Sequence, residues 1–333
     1  MPSHSPRAVV ALALLILAVV LVSCSGERER GERAESHEAT HAPMQRGVDP
    51  GYAAPRIAQA VGNPNRNGFD TSCRLVKNEA SDRIVFPNQP PPVGHPHAFF
   101  CTDVDHDSLL REMHQGETNS NRPEDTAGYW IPAILKPDGT NLKPQVFKAY
   151  YRTTIPSPKV PPENLKIVAG DRLASSPQDT DITWWDCKNL ETGEVTGKWT
   201  EPHQCADNNA KPRLRITFPQ CVATVPSDPT RMRVDSADHK SHMAYPVRVD
   251  GRIKCPSTHP VAIVRVGFQV SYPAASERGA ADMSKVTYSS GGRYGSHGDF
   301  WQSFQMPGPN GLKQLTERCF QPGAFCKLGN EPI

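Results

Sequence analysis

Histidine and aspartate carry the reactive chemistry of this chain, and they are unevenly placed. Six of the 12 histidines fall in four short segments. These are Gly94-His95-Pro96-His97-Ala98-Phe99-Phe100, the run from Asp235 through Asp238-His239-Lys240-Ser241-His242-Met243-Ala244-Tyr245-Pro246, Cys255-Pro256-Ser257-Thr258-His259-Pro260, and Tyr294-Gly295-Ser296-His297-Gly298-Asp299-Phe300. On a strand, residues two apart face one side, so His95 would project with His97 and His297 with Asp299. On a helical turn, His239 and His242 share a face that Asp235 or Asp238 can join. Neutral imidazoles beside carboxylates suit a divalent ion such as Zn²⁺, Mn²⁺ or Cu²⁺. They equally suit general acid–base catalysis, because histidine titrates near neutrality and a carboxylate can orient it. Lys240 and Arg265 would neutralise an acidic substrate or a developing oxyanion.

The pattern nominates His97, Asp238, His239, His242, His297 and Asp299 as catalytic groups, gathered in one pocket. His95, Lys240, Tyr245 and His259 are the expected substrate contacts. Glycine and proline beside the imidazoles would let a ligand approach the backbone and fix the presenting loops. The competing reading gives each histidine to a loop that it holds, since His-Pro and Pro-His are often rigid turns. His106, His114 and His203 read as solvated. Other chemistries lack their signatures: there is no GxSxG elbow, no GxxxxGK[ST] loop and no HExxH.

The four segments, in this order, resemble the DUF1996 family of secreted bacterial and fungal domains. Tyr129-Trp130-Ile131-Pro132, Tyr150-Tyr151, Ala169-Gly170-Asp171 and Phe218-Pro219-Gln220-Cys221 fit the same pattern. The Asp-His-Lys-Ser-His-Met-Ala-Tyr-Pro block is its most specific part. The resemblance runs from about Phe86 to Phe304, with a tail to about Cys319. It implies a fold and an extracellular setting, and it transfers no activity.

The elements that must position these residues are strands. Proline is abundant, at 33 of 333 residues, and excludes a long-helix bundle. Short apolar runs recur between proline and glycine punctuation. Val264, Val266, Phe268 and Val270 alternate with Arg265, Gly267 and Gln269, as does Leu214 to Phe218, which is the period of a half-buried strand. Only Asp105 to Gln115 reads as helical, with Leu109, Leu110 and Met113 on one side. The expected fold is mainly β: a single sandwich- or jelly-roll-like domain with long loops and one or two short helices. Of the aromatic pairs Tyr150-Tyr151 and Trp184-Trp185, the core is the usual home, although exposed rings could stack on sugars.

The first residues set the expected compartment. Ala8 to Val22 is a continuous apolar run, short for a bilayer span and right for a signal-peptide core. It ends Leu21-Val22-Ser23-Cys24, which resembles a bacterial lipobox and predicts a lipid anchor on Cys24. The boundaries read 1–23 as leader, 24–54 as a charged tether and 55–333 as the domain. His37 and His41 sit in the tether. Eight cysteines remain beyond Cys24, an even number that suits disulfides in an exported chain. Loop closure favours neighbours, predicting Cys73–Cys101, Cys187–Cys205, Cys221–Cys255 and Cys319–Cys326.

A formal net charge of +2 gives no claim on nucleic acid, and no protein partner is inferred. The functional expectation is a membrane-anchored extracellular domain acting on a polysaccharide by hydrolysis or β-elimination through a His/Asp site, with a divalent metal as a candidate cofactor. The alternatives are a non-catalytic glycan-binding or adhesion module, and a structural surface domain.

Overall fold

The computed structural model describes residues 68–320 and Cys326. The leader, the tether, Cys24, His37 and His41 lie outside the described residues. Two antiparallel sheets are built from eleven strands: β1 (Gly68–Cys73), β2 (Leu75–Glu79), β3 (His97–Cys101), β4 (Gly128–Pro132), β5 (Val146–Arg152), β6 (Lys166–Gly170), β7 (Thr183–Asn189), β8 (Val195–Trp199), β9 (Ala210–Thr217), β10 (Arg265–Ser271) and β11 (His297–Trp301). The larger sheet runs β1-β5-β10-β9-β7-β8 and the smaller β2-β3-β4-β11-β6. The mainly β expectation therefore holds, in its sandwich form.

Strand alternation decides which residues meet. In the large sheet Phe69, Phe147, Tyr151, Trp185, Leu214, Ile216, Val266, Phe268 and Val270 point inward. From the small sheet Ala98, Phe100, Tyr129, Ile131, Ile167, Ala169 and Phe300 meet them. Gly298 lies against Ile216, Phe218 and Phe268, where a Cβ would come within about 3.0–3.2 Å of those side chains, so the absence of a side chain lets the two sheets approach closely there. The pleat then turns His97, Phe99, His297, Asp299 and Trp301 to the opposite, outer face of the small sheet. That face carries its own apolar cluster of Ile84, Phe99, Val104, Met113, Trp130 and Trp301. It is covered, and a polar group placed on it is dry.

All four disulfides join the neighbours expected from loop closure. Cys73–Cys101 ties β1 of the large sheet to β3 of the small one. The helix is shorter than its sequence pattern: α1 spans Leu110–Gln115. Ahead of it the Asp105 backbone N–H donates to the Ser108 hydroxyl and the Ser108 N–H donates to the Asp105 carbonyl, closing a turn that competes with helix. A second helix, α2 (Leu312–Cys319), buries Leu312, Leu315 and Cys319. Each aromatic pair divides across its strand, as the two-residue period requires: Tyr151 and Trp185 are buried in the core, while Tyr150 and Trp184 stay half-exposed on the far face.

A buried histidine–carboxylate cluster

Three imidazoles converge on the outer face of the small sheet. His95 Nε2 lies 3.2 Å from His297 Nε2, and His297 Nε2 lies 3.4 Å from His97 Nε2. His97 opens β3 and His297 opens β11. His95 comes from the loop that leads into β3. The second ring nitrogens of His97 and His297 are anchored: His97 Nδ1 donates to the Ser81 carbonyl at 2.8 Å, and His297 Nδ1 donates to the Gly295 carbonyl at 2.9 Å. A carbonyl only accepts, so each Nδ1 carries the proton and each Nε2 presents a lone pair. Two lone pairs at 3.4 Å repel unless something positive lies between them.

Two carboxylates complete the cluster. Asp299 Oδ2 is 3.9 Å from His97 Nε2 and 3.7 Å from His297 Nε2. Asp299 is 1% exposed, and neither of its oxygens has a hydrogen-bond partner. Asp82 shares the reach of His97 and Asp299. Its Oδ1 accepts the backbone N–H of Ile84 at 2.9 Å and of Val85 at 3.0 Å, which fixes the carboxylate beneath the covering loop.

Burial dominates the electrostatics. It pushes His95 down to about 4, with the Arg172 charge adding to the shift. His297 is pushed down to about 3 by burial and then by His95. His97 falls well below its ordinary value for the same reasons. Asp299 moves the other way, well above the carboxylate range, through burial and the neighbouring Asp82 charge. Burial also raises Asp82, against its two backbone N–H donors and the charges of His239 and Arg172. The cluster therefore holds neutral imidazoles and a carboxyl pair that resists ionisation, until a cation reverses the balance.

The second histidine segment lies partly beside this cluster. Lys240 Nζ donates to the Gly170 carbonyl at 2.6 Å, and Gly170 is the cross-strand partner of His297. Gly170 has φ +83°, and a Cβ there would come within 2.5 Å of the Ser296 carbonyl, so only glycine lets β6 approach the His297 turn this closely. The His239 carbonyl accepts the Val168 N–H of β6, and its Nδ1 hydrogen-bonds Asp235 at 2.8 Å.

The remaining nominated residues are elsewhere. His239 adopts φ +54°, a left-handed turn rather than a helix, and this removes the shared face on which His239 and His242 would have met. His242 is buried and bonds the Ser236 hydroxyl at 2.9 Å. Asp238 is exposed and spent on its own turn, accepting the Lys240 and Ser241 backbone N–H groups and the Ser236 hydroxyl, which hold it far below the usual carboxylate range. The Tyr245 hydroxyl donates to the Thr217 carbonyl, and His259 Nε2 donates to the Ser241 carbonyl. These four hold loops. Arg265 lies on the large sheet, and His203 stacks on Trp199 with ring centroids 3.8 Å apart. Sequence reasoning missed Asp82, whose Asp-x-Ile-Val setting reads as an ordinary turn.

Fold and cluster together define an antiparallel β-sandwich with three histidines and two carboxylates sequestered on the outer face of one sheet. The chain belongs to the DUF1996 family, a domain of unknown function, whose model matches residues 82–304. The matched span opens on Asp82 and closes just past Asp299, so it encloses all five cluster residues. No curated protein and no solved structure matches the chain.

Proposed function

We propose that this chain is a metalloprotein in which His95, His97 and His297 bind one divalent transition ion and Asp299 supplies a carboxylate oxygen. The observation that carries this reading is the spacing of the Nε2 atoms, 3.2 and 3.4 Å, with both anchored Nδ1 protons turned away. Nitrogens about 2.0–2.1 Å from a tetrahedral ion stand roughly 3.3–3.4 Å apart, so His297 Nε2 already stands from the other two Nε2 atoms at close to the spacing such an ion requires. Zinc is the simplest ion for this nitrogen-rich set. The carbonyls of Ser81 and Gly295 supply the outer hydrogen bonds that orient metal-bound histidines.

The chemistry we assign is metal-assisted hydrolysis of a polysaccharide outside the cell, with the domain tethered through a lipid on Cys24. Three imidazoles and Asp299 fill four positions, so a nucleophilic water would need a fifth position or the displacement of Asp299; the chemistry the ion would supply there is a lowering of that water's pKa towards neutrality. His95 is the half-buried member of the triad, so substrate would approach from its side. The exposed cations Arg172 and Lys240 act electrostatically on the cluster and would steady negative charge developing there. The glycan is our inference from the expected extracellular compartment and the aromatic content of the chain. Burial of His97, His297 and Asp299 supports a second reading, a closed ion that only braces the loops.

The test is hydrolysis by the zinc-loaded full chain against the chelator-stripped chain, on a panel of polysaccharides, read as new reducing ends. Metal-dependent release supports catalysis. A loaded protein that is inert on the panel but melts higher than the stripped one favours the bracing ion.

A further inference from the structure

The outer face of the large sheet, on the far side of the sandwich from the histidine cluster, carries a second concentration of polar chemistry. Gly267 of β10 lies between Tyr150 of β5 and Thr217 of β9 in register. With no side chain at Gly267, the sheet has a dent there. The resulting cavity of about 80 Å³ is lined by Tyr150, Arg152, Trp184, Arg215, Thr217 and Arg265. A water-sized probe occupies roughly 10–15 Å³ on the same measure, so the dent holds one compact polyatomic group rather than a sugar ring.

Three guanidinium groups converge on it. Arg265 and Arg152 are direct cross-strand partners, an arrangement that costs stability for like charges. Arg152 lies over the Tyr150 ring at 4.4 Å. The Arg215 guanidinium lies 5.6 Å from both the Tyr150 and the Trp184 ring centroids. Gln269 steadies this arrangement, its Oε1 accepting from Arg215 Nη1 at 2.8 Å and from the Tyr150 hydroxyl at 3.2 Å. Asp186 is 3.7 Å from Arg215 but is held by Arg213 at 2.5 Å, and among the described residues no ion pair reaches Arg265. Lys188, on the same face, is pushed below its ordinary value by burial and then by Arg213, Lys148 and Arg215, against the raising effect of Asp186.

We propose that this dent is an oxyanion subsite that captures the carboxylate or sulfate group of an acidic polysaccharide. Planar guanidiniums offer paired N–H donors that match the oxygens of either group, and their stacking on Tyr150 and Trp184 pre-sets the forks. The dent opens to solvent, so the captured group can belong to a long polymer lying across the sheet. The site lies on the opposite face from the metal cluster and does not depend on the metal reading; the choice of a polysaccharide as the carrier of the captured group rests on the proposed function above. A chelator-stripped protein should bind as well as a loaded one.

The experiment is calorimetric titration of the full chain with polygalacturonate, dextran sulfate, neutral dextran and inorganic sulfate. The two acidic polymers distinguish carboxylate from sulfate, and neutral dextran should not bind. Arg265→Gln should weaken binding of the preferred acidic polymer about tenfold or more, the loss of one bidentate contact. Lys211→Gln, on the same face but paired with Glu277 at 2.5 Å, should leave the affinity within about twofold. Melting temperatures check that each variant is folded. Absence of binding to both acidic polymers overturns the proposal. So does an equal loss in the two variants, which would mark diffuse attraction. Tighter capture of single-stranded RNA or anionic vesicles with the same arginine dependence would also overturn it, by assigning the dent to another partner.

Discussion

Binding of zinc to this chain should release about one proton per ion, and that proton should come from a carboxyl group. Burial pushes His95 down to about 4 and His297 down to about 3, and it drives His97 down as well. At pH 5.5 these imidazoles are already neutral, so the ion displaces no proton from them. Ordinary histidines titrate near 6.5 and would each be about 90% protonated at that pH, so three of them would release nearly three protons. Asp299 behaves oppositely, because burial and the Asp82 charge raise it well above the carboxylate range. Below its raised pKa it keeps a proton in the metal-free protein and must lose it to coordinate. Affinity should therefore rise with pH, approaching the tenfold per unit of a single proton at pH values below the raised Asp299 pKa. In Asp299→Asn the slope should fall towards zero while a weaker site persists. Competition with a chromophoric chelator at several pH values measures the slope. Calorimetry in buffers of different ionisation enthalpy counts the protons independently. A wild-type count near three would show that the imidazoles are not pre-set as argued here. A count near zero would remove Asp299 from the coordination sphere.

Three further outcomes follow from particular residues. Asp125 is buried, with the Tyr129 hydroxyl 2.9 Å from Oδ1, and burial pushes it up to about 6. A folded-state pKa above the unfolded value means that its stabilisation is complete below about pH 4 and is lost as pH rises through about 6, a span worth roughly 3 kcal/mol. Urea unfolding of Asp125→Asn between pH 4 and 6.5 should lack this slope, and an unchanged slope would assign it to another group. The eight cysteines of the four disulfides should leave the unreduced mass about 8 Da below the reduced one, and several titratable thiols in the unfolded, unreduced chain would contradict the pairing. Finally, Cys24→Ala should release the protein from the membrane fraction or leave its precursor uncleaved, whereas recovery of the wild type wholly in the medium would remove the anchor.

Much of the fold was legible because its signals are local. Period-two alternation over Val264–Val270 and Leu214–Phe218 marked strands that the structure places at Arg265–Ser271 and Ala210–Thr217, and closure between neighbouring cysteines pointed to the four pairs. His297 and Asp299 were legible as same-face neighbours for the same reason. Their meeting with His97 was expected from the four segments taken together, but strand period alone does not supply it, because it depends on β4 standing between β3 and β11 in the small sheet. Spacing alone misplaced His242, since it could not reveal that His239 turns left-handed. Asp238 was misassigned because a carboxylate that caps its own turn has the same sequence signature as one that ligates. Asp82 gave no signal at all: it lies in an irregular loop, and only the folding of that loop over the small sheet brings it within reach of His97 and Asp299.

If three imidazoles and a buried carboxylate hold one ion, metal content will show it. The full chain is saturated with zinc, desalted without chelator and measured by inductively coupled plasma mass spectrometry, beside a folded His97→Ala/His297→Ala double variant. The wild-type chain should retain close to one zinc and the variant close to none. Equal zinc in the two proteins, or none retained by the wild type, would contradict it.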